Sequence, residues 1–203
     1  MGKKDGTVDL RIKRTQSAIR ASFFELVEEK GFEHISVKDI TDGAMISRNT
    51  FYLHYADKYE LLNKICDDLM RTLFFRVGKQ LRRVQKNYFT PESVATIISL
   101  GISAVDSDRD AYKVLFNGSN GDVLTEKLKP VISRILDLFT EDIGGVDVFS
   151  REYIVSGIIG LIKYYATHNV ENIEQKCLHF TGLHLGKIIE FANDKRENMN
   201  EKM

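Results

Sequence analysis

The chain has 203 residues, 43% of them apolar, enough for one large core or for a small and a medium one. Its 29 basic side chains are balanced by 29 acidic ones, which excludes a polycation that coats nucleic acid indiscriminately, so any basic footprint has to be local. With two prolines, no tryptophan and no strand-type alternation, the expected fold class is all-α.

The amino end supplies a local basic patch. Lys3, Lys4, Arg11, Lys13, Arg14 and Arg20 are opposed there only by Asp5 and Asp9. On charge patterning alone this is equally a solvated arm. From Arg11 to Lys30, Ile12, Ile19, Phe23, Leu26 and Val27 recur at helical spacing. Gly31 can close the helix in a left-handed conformation, and Phe32 beyond it can fold back onto the apolar face.

Ser36 with Asp39 three residues on reads as a capping box for a second, short helix ending near Gly43. Ser47 caps a third helix, SRNTFYLHY, with Phe51 pointing inward. Asp57 opens a longer helix whose inward stripe is Leu61, Leu62, Ile65, Leu69 and Leu73, with Phe74 at its edge. Thr90 and Pro91 suit the cap and first turn of another. Further helices are expected over 108–116, 122–140 with a kink at Lys127 to Pro130, 150–168 and 171–193, before a fraying polar tail.

Two short helices joined by a tight turn over residues 36–55 have the layout of a helix-turn-helix, whose second helix enters the major groove of DNA. Arg48 can donate two bonds to guanine and Asn49 can pair with adenine. Thr50 offers a hydroxyl and a methyl, and Tyr52 reaches a base or phosphate. These residue types occur on many solvated helices, and Phe51, Ile40 and Ile46 are core positions. Tyr55 either contacts phosphate or packs.

The run ISVKDITDGAMISRNTFYLHYADKYELL carries the specific signal: over about residues 8–65 the chain resembles the TetR family of transcriptional regulators. The resemblance implies DNA contacts at Thr50, Tyr52 and His54 and at Lys58, which opens the fourth helix; it implies a phosphate contact at Lys38. Ser47, Arg48, Asn49 and Tyr55 complete the candidate DNA-binding set. Where the family usually has a glycine in the turn, this sequence has Met45, with Gly43 two residues earlier. A side chain at a left-handed position costs on the order of 1 kcal/mol.

The resemblance further implies an amino-terminal DNA-binding domain over 1–58 and a helical regulatory and dimerisation domain over 59–203. Ser156, Gly157, Gly160, Gly182 and Gly186 form the candidate dimer interface, since small residues let helices approach closely; packing within one subunit would give the same pattern. The expected partners are a near-palindromic double-stranded operator, a second copy and a small-molecule effector whose residues are not assigned. A protein partner acting on the carboxy-terminal domain is the alternative. Phe74, Phe75, Tyr88, Phe89, Tyr112, Phe116, Tyr164, Tyr165 and Phe180 are candidates for lining a cavity, each with ordinary core as its competing role.

Other classes find no foothold. No glycine-rich phosphate loop or nucleophile motif is present, so no enzyme and no cofactor are expected. His179 and His184 stand five apart and do not share a helix face as a metal pair would. Cys66 and Cys177 fit neither a disulfide framework nor a zinc pattern, and no secretory leader is read, so a cytoplasmic protein is expected. The most apolar run, Tyr153 to Ile162, falls short of the roughly 20 residues that span a bilayer.

Overall fold

The computed structural model describes residues 5–81, 91–118, 121–140 and 146–180. Among them every regular element is a helix, as the near absence of proline and of alternating patterning requires. In chain order these are α1 (Asp5–Lys30), a 3-10 turn (Phe32–His34), α2 (Val37–Gly43), α3 (Arg48–Tyr52), α4 (Lys58–Leu81), α5 (Pro91–Asp106), α6 (Arg109–Asn117), α7 (Gly121–Thr140), α8 (Val148–Thr167) and α9 (Ile173–Phe180). Backbone contacts divide the chain into two compact units, residues 1–68 with 114–122, and residues 69–113 with 123–203.

In the first unit, α1 buries Ile19, Phe23 and Val27, one residue every four and hence one face. Gly31 ends it at φ 78°, ψ 150°, a region beyond the left-handed helical one that only glycine enters without strain. The chain then turns back through the 3-10 segment, which the periodicity did not reveal. Phe32 is buried and meets Phe23 edge to face at 6.1 Å, the fold-back its spacing predicted. α2 packs on α1 where Gly43 faces Ser22: an added Cβ would stand 2.4 Å from the Ser22 Oγ. That hydroxyl donates a buried bond of 3.0 Å to the Ile40 carbonyl, so the missing side chain at 43 lets the two helices share one polar contact. Arg20 pairs with Asp68 of α4.

The second unit is built from amphipathic helices of longer reach. α5 buries Ala95, Ile98, Ile102 and Val105; α7 buries Leu124, Leu128, Ile132 and Ile135, and continues through Pro130. α8 begins at Asp147, whose carboxylate accepts from the Phe149 and Ser150 amides at 3.0 and 3.1 Å. The Ser150 hydroxyl first, then the Ser150 and Phe149 amides, hold the Asp147 carboxyl below the usual carboxylate range. Arg109 donates to the Tyr165 carbonyl at 3.0 Å and to that of His168 and lies over the Tyr165 ring, while the Tyr165 hydroxyl donates to Asp106 at 2.7 Å. Arg76 donates to the Ala104 carbonyl at 2.8 Å and to Asp108 at 3.0 Å, tying α4 to the end of α5.

Several expectations shift. α1 starts at Asp5 rather than Arg11, and α8 at Val148 rather than Ser150. Phe74 is 37% exposed, off the α4 stripe. The nine candidate aromatics do not share one environment: Tyr112 and Phe116 are buried, and Phe75 and Tyr164 are exposed. Lys3, Lys4, Tyr88, Phe89, Thr90, Gly182, His184, Gly186 and the polar tail lie outside the described residues. No helix among those described is long and apolar enough to cross a membrane.

Candidate nucleic-acid interface

Local chemistry assembles the reading head. The Ser36 Oγ accepts from the Asp39 amide at 3.2 Å, and Asp39 accepts in return from the Ser36 amide at 2.8 Å, a reciprocal box that starts α2. The Ser36 hydroxyl, then its amide, hold the Asp39 carboxyl below the ordinary carboxylate range, so the box is ionised at neutral pH. The Ser47 Oγ accepts from the Thr50 amide at 3.1 Å and contacts the Thr50 hydroxyl at 2.9 Å, which starts α3. Phe51 is fully buried beneath α3, and Arg48, Asn49 and Tyr52 are exposed.

Between the two helices stands Met45 at φ 54°, the left-handed conformation for which the family glycine is suited, with its side chain 92% exposed. The Ile46 amide reaches back to the Thr41 carbonyl at 3.0 Å and closes the turn. Because the side chain gains nothing by burial, its strain is uncompensated locally. Met45→Gly is therefore expected to stabilise the first unit by about 0.5–1 kcal/mol, the relief of left-handed strain less the added freedom of the unfolded chain. Urea unfolding checks this; a destabilised variant would show that the turn does not strain methionine.

The other candidates divide. Lys38 is exposed and free to approach a phosphate, and His54 is half-buried in the turn after α3. Of the two roles open to Tyr55 the structure shows packing: it is 3% exposed, and its ring lies 5.5 Å from that of Phe51, one helical turn away. Lys58 is a correction. Its ammonium donates to the carbonyls of Phe32 and Ile35 at 2.9 Å each and of Glu33 at 3.3 Å, which uses all three of its hydrogens inside the protein.

Lys64 went unread as a site residue. It pairs with Glu60 at 2.9 Å, an i,i+4 pair visible in the sequence, but it also donates to the His54 carbonyl at 3.0 Å, which only the folded chain shows. Of the basic amino end, Arg11, Lys13 and Arg14 are exposed on α1, and Arg20 is spent on Asp68. Of the candidate dimer residues, Ser156, Gly157 and Gly160 lie exposed along α8. Among the described residues no three metal-ligating side chains converge.

Residues 19–65, from Ile19 of α1 through the first two turns of α4, match the model of the bacterial regulatory proteins of the tetR family. An uncharacterised HTH-type transcriptional regulator of Bacillus subtilis, YxbF, is 25% identical over 192 residues, 92% of this chain and 50% of that protein. The HTH-type regulator EthR of Mycolicibacterium smegmatis is 41% identical over 56 residues, 28% of this chain and 26% of EthR. The chain thus spans at most half the length of these curated relatives. Among solved structures, a TetR transcriptional regulator from Streptococcus agalactiae superposes with a TM-score of 0.61 at 23% identity, covering 88% of this chain and 97% of that one. A TetR-family regulator from Syntrophomonas wolfei reaches 0.67 at 17% identity, covering 84% and 94%. These structures share the fold, an amino-terminal helix-turn-helix followed by a helical domain, and the head of this chain is similar to that of the bacterial regulatory proteins of the tetR family.

Proposed function

We propose that the chain is a cytoplasmic, homodimeric, sequence-specific DNA-binding transcriptional regulator, a repressor released by a small-molecule effector. Residues 1–58 read the duplex and residues 59–203 dimerise and regulate. The observation that carries the reading is the exposed set Arg48, Asn49 and Tyr52 on a capped helix anchored by buried Phe51. A planar guanidinium, a carboxamide and a phenol are the side chains that address base edges and backbone in the major groove. Ser47, Thr50, His54 and Lys38 flank that set.

The dimer reading gains support from what α8 does not pack. Each glycine inside a helix costs about 1 kcal/mol relative to alanine. Yet a Cβ at Gly157 or Gly160 would meet nothing within 4 Å among the described residues, so packing against those residues does not require them. A second copy laid against this face would. Two heads then address half-sites about 34–36 Å apart on a near-palindromic operator.

The effector reading draws on an apolar cavity of about 260 Å³ between α5, α8 and α9, lined by Ile98, Tyr153, Ile154, Leu161 and Phe180 together with both α8 glycines. A ligand there lowers operator affinity only by its differential affinity for the two dimer geometries. The test is selection from a random duplex pool with the full chain at low salt. The expected result is a near-palindrome with half-sites one turn apart; folded protein that enriches no sequence overturns the proposal.

A further inference from the structure

We infer that Lys58 and Lys64 are positioning residues for DNA recognition: from the first two turns of α4 they fasten the entry of α2 and the exit of α3 to one helix, so that α4 sets the aim of α3. The inference rests on the duplex-reading function proposed above.

Lys58 gathers the carbonyls of Phe32, Glu33 and Ile35, and its ammonium stands 4.7 Å from the centre of the Phe32 ring and 5.4 Å from that of Tyr59. These carbonyls belong to the 3-10 turn and its end; that of Phe32 also accepts from the Ile35 amide at 3.4 Å, so the ammonium adds to the turn's own bond there and supplies a charged donor to the Glu33 and Ile35 carbonyls. Ile35 directly precedes the Ser36 cap, so the ammonium fixes the point at which the chain enters α2. Six residues on, Lys64 donates to the His54 carbonyl just past α3 and lies 5.2 Å from the Tyr55 ring. Glu60 sits between the two lysines, pairing with Lys64 and accepting from the Ala56 amide at 2.5 Å, which closes the short link from α3 to α4.

Bonds from an ionised donor are stronger than neutral ones, and here they join segments far apart in sequence. A Lys58 ammonium already coordinated by three carbonyls would have to give one up for each phosphate it touched. Its function is therefore exerted through the backbone it holds.

Full-length Lys58→Met and Lys64→Met keep the side-chain length and remove the charge and the donors. The probes are the duplex selected by the wild type and a random-sequence duplex of equal length, titrated over a range of salt at a temperature where circular dichroism shows each protein folded. Each variant is expected to bind the selected duplex about tenfold more weakly, as loss of charged hydrogen bonds that set geometry implies. Binding to the random duplex changes little, so the specificity ratio narrows, and the dependence of log K on log salt keeps its slope.

A slope shallower by about 0.9 would make the lysine a phosphate contact and overturn the inference. So would unchanged affinity, or a loss that disappears after correction for the unfolded fraction. Where Lys58→Met does not fold, Lys64→Met decides. A wild type that selects no duplex removes the DNA reading itself, whereas a wild type that selects one and variants that match it remove only this inference.

Discussion

Phe51→Ala is expected to lower the stability of the first unit by about 3–5 kcal/mol and to abolish specific DNA binding. The ring is fully buried, lies 5.5 Å from Tyr55 and 5.7 Å from Tyr52, and is the one buried side chain of α3. α3 has only five residues, too few to persist without tertiary support, because helix nucleation costs more than one turn of hydrogen bonds returns. Removing the ring therefore deletes both the apolar contact and the reason for the helix. Urea unfolding followed by circular dichroism measures the loss, and Phe51→Leu, which refills most of the volume, should recover most of it. Arg48→Ala is the control: an exposed side chain whose removal leaves stability within about 0.5 kcal/mol. A Phe51→Ala loss below about 1 kcal/mol would mean that α3 is held by something other than this ring.

The contrast between Phe51 and Tyr55 shows where sequence reasoning stops. Caps are local devices, so Ser36 with Asp39, Ser47, and Asp57, which accepts from the Glu60 amide at 2.7 Å, were all legible from residue type and spacing. That Met45 stands where a glycine is usual was legible too, but the conformation of the turn was not, and only the fold shows its φ of 54°. The role of Tyr55 was not legible, because an aromatic one turn from a buried phenylalanine suits either a core or a phosphate, and burial depends on α4 arriving above it. The role of Lys58 is still less local. Its acceptors lie 23 to 26 residues upstream, in a 3-10 turn that hydrophobic periodicity does not register.

The same division runs through the second unit. The helices α5 to α8 were legible because each carries a continuous apolar stripe, whereas the starts of α1 and α8 moved by six and two residues. Helix boundaries depend on caps and solvent more than on periodicity. Asp147 is such a cap, a carboxylate two and three residues before the amides it accepts, and its signal was present in the sequence but unread. Function in this unit is less legible still, because glycine at 157 and 160 is meaningful only once it is known that a Cβ there would meet nothing within 4 Å among the described residues.

Gly160→Glu is therefore the decisive variant for the oligomeric state. Among the described residues a Cβ at 160 meets nothing within 4 Å, and the helix propensity of glutamate exceeds that of glycine by roughly 0.5–1 kcal/mol, so α8 should keep its helical content. In a dimer joined along α8, each subunit would place an unpaired carboxylate in the interface opposite its twin. The expected penalty is about 3–5 kcal/mol, two to four orders of magnitude in the dimer dissociation constant, with no loss of helical content. Sedimentation equilibrium should then show a monomer at concentrations where the wild type is dimeric. Affinity for a single half-site should persist while affinity for the full palindrome falls, because two tethered heads act at a high effective concentration that two separate ones lack. A variant that remains dimeric would move the interface off this face of α8, and a wild type that is itself monomeric would remove the palindromic operator from the proposed function.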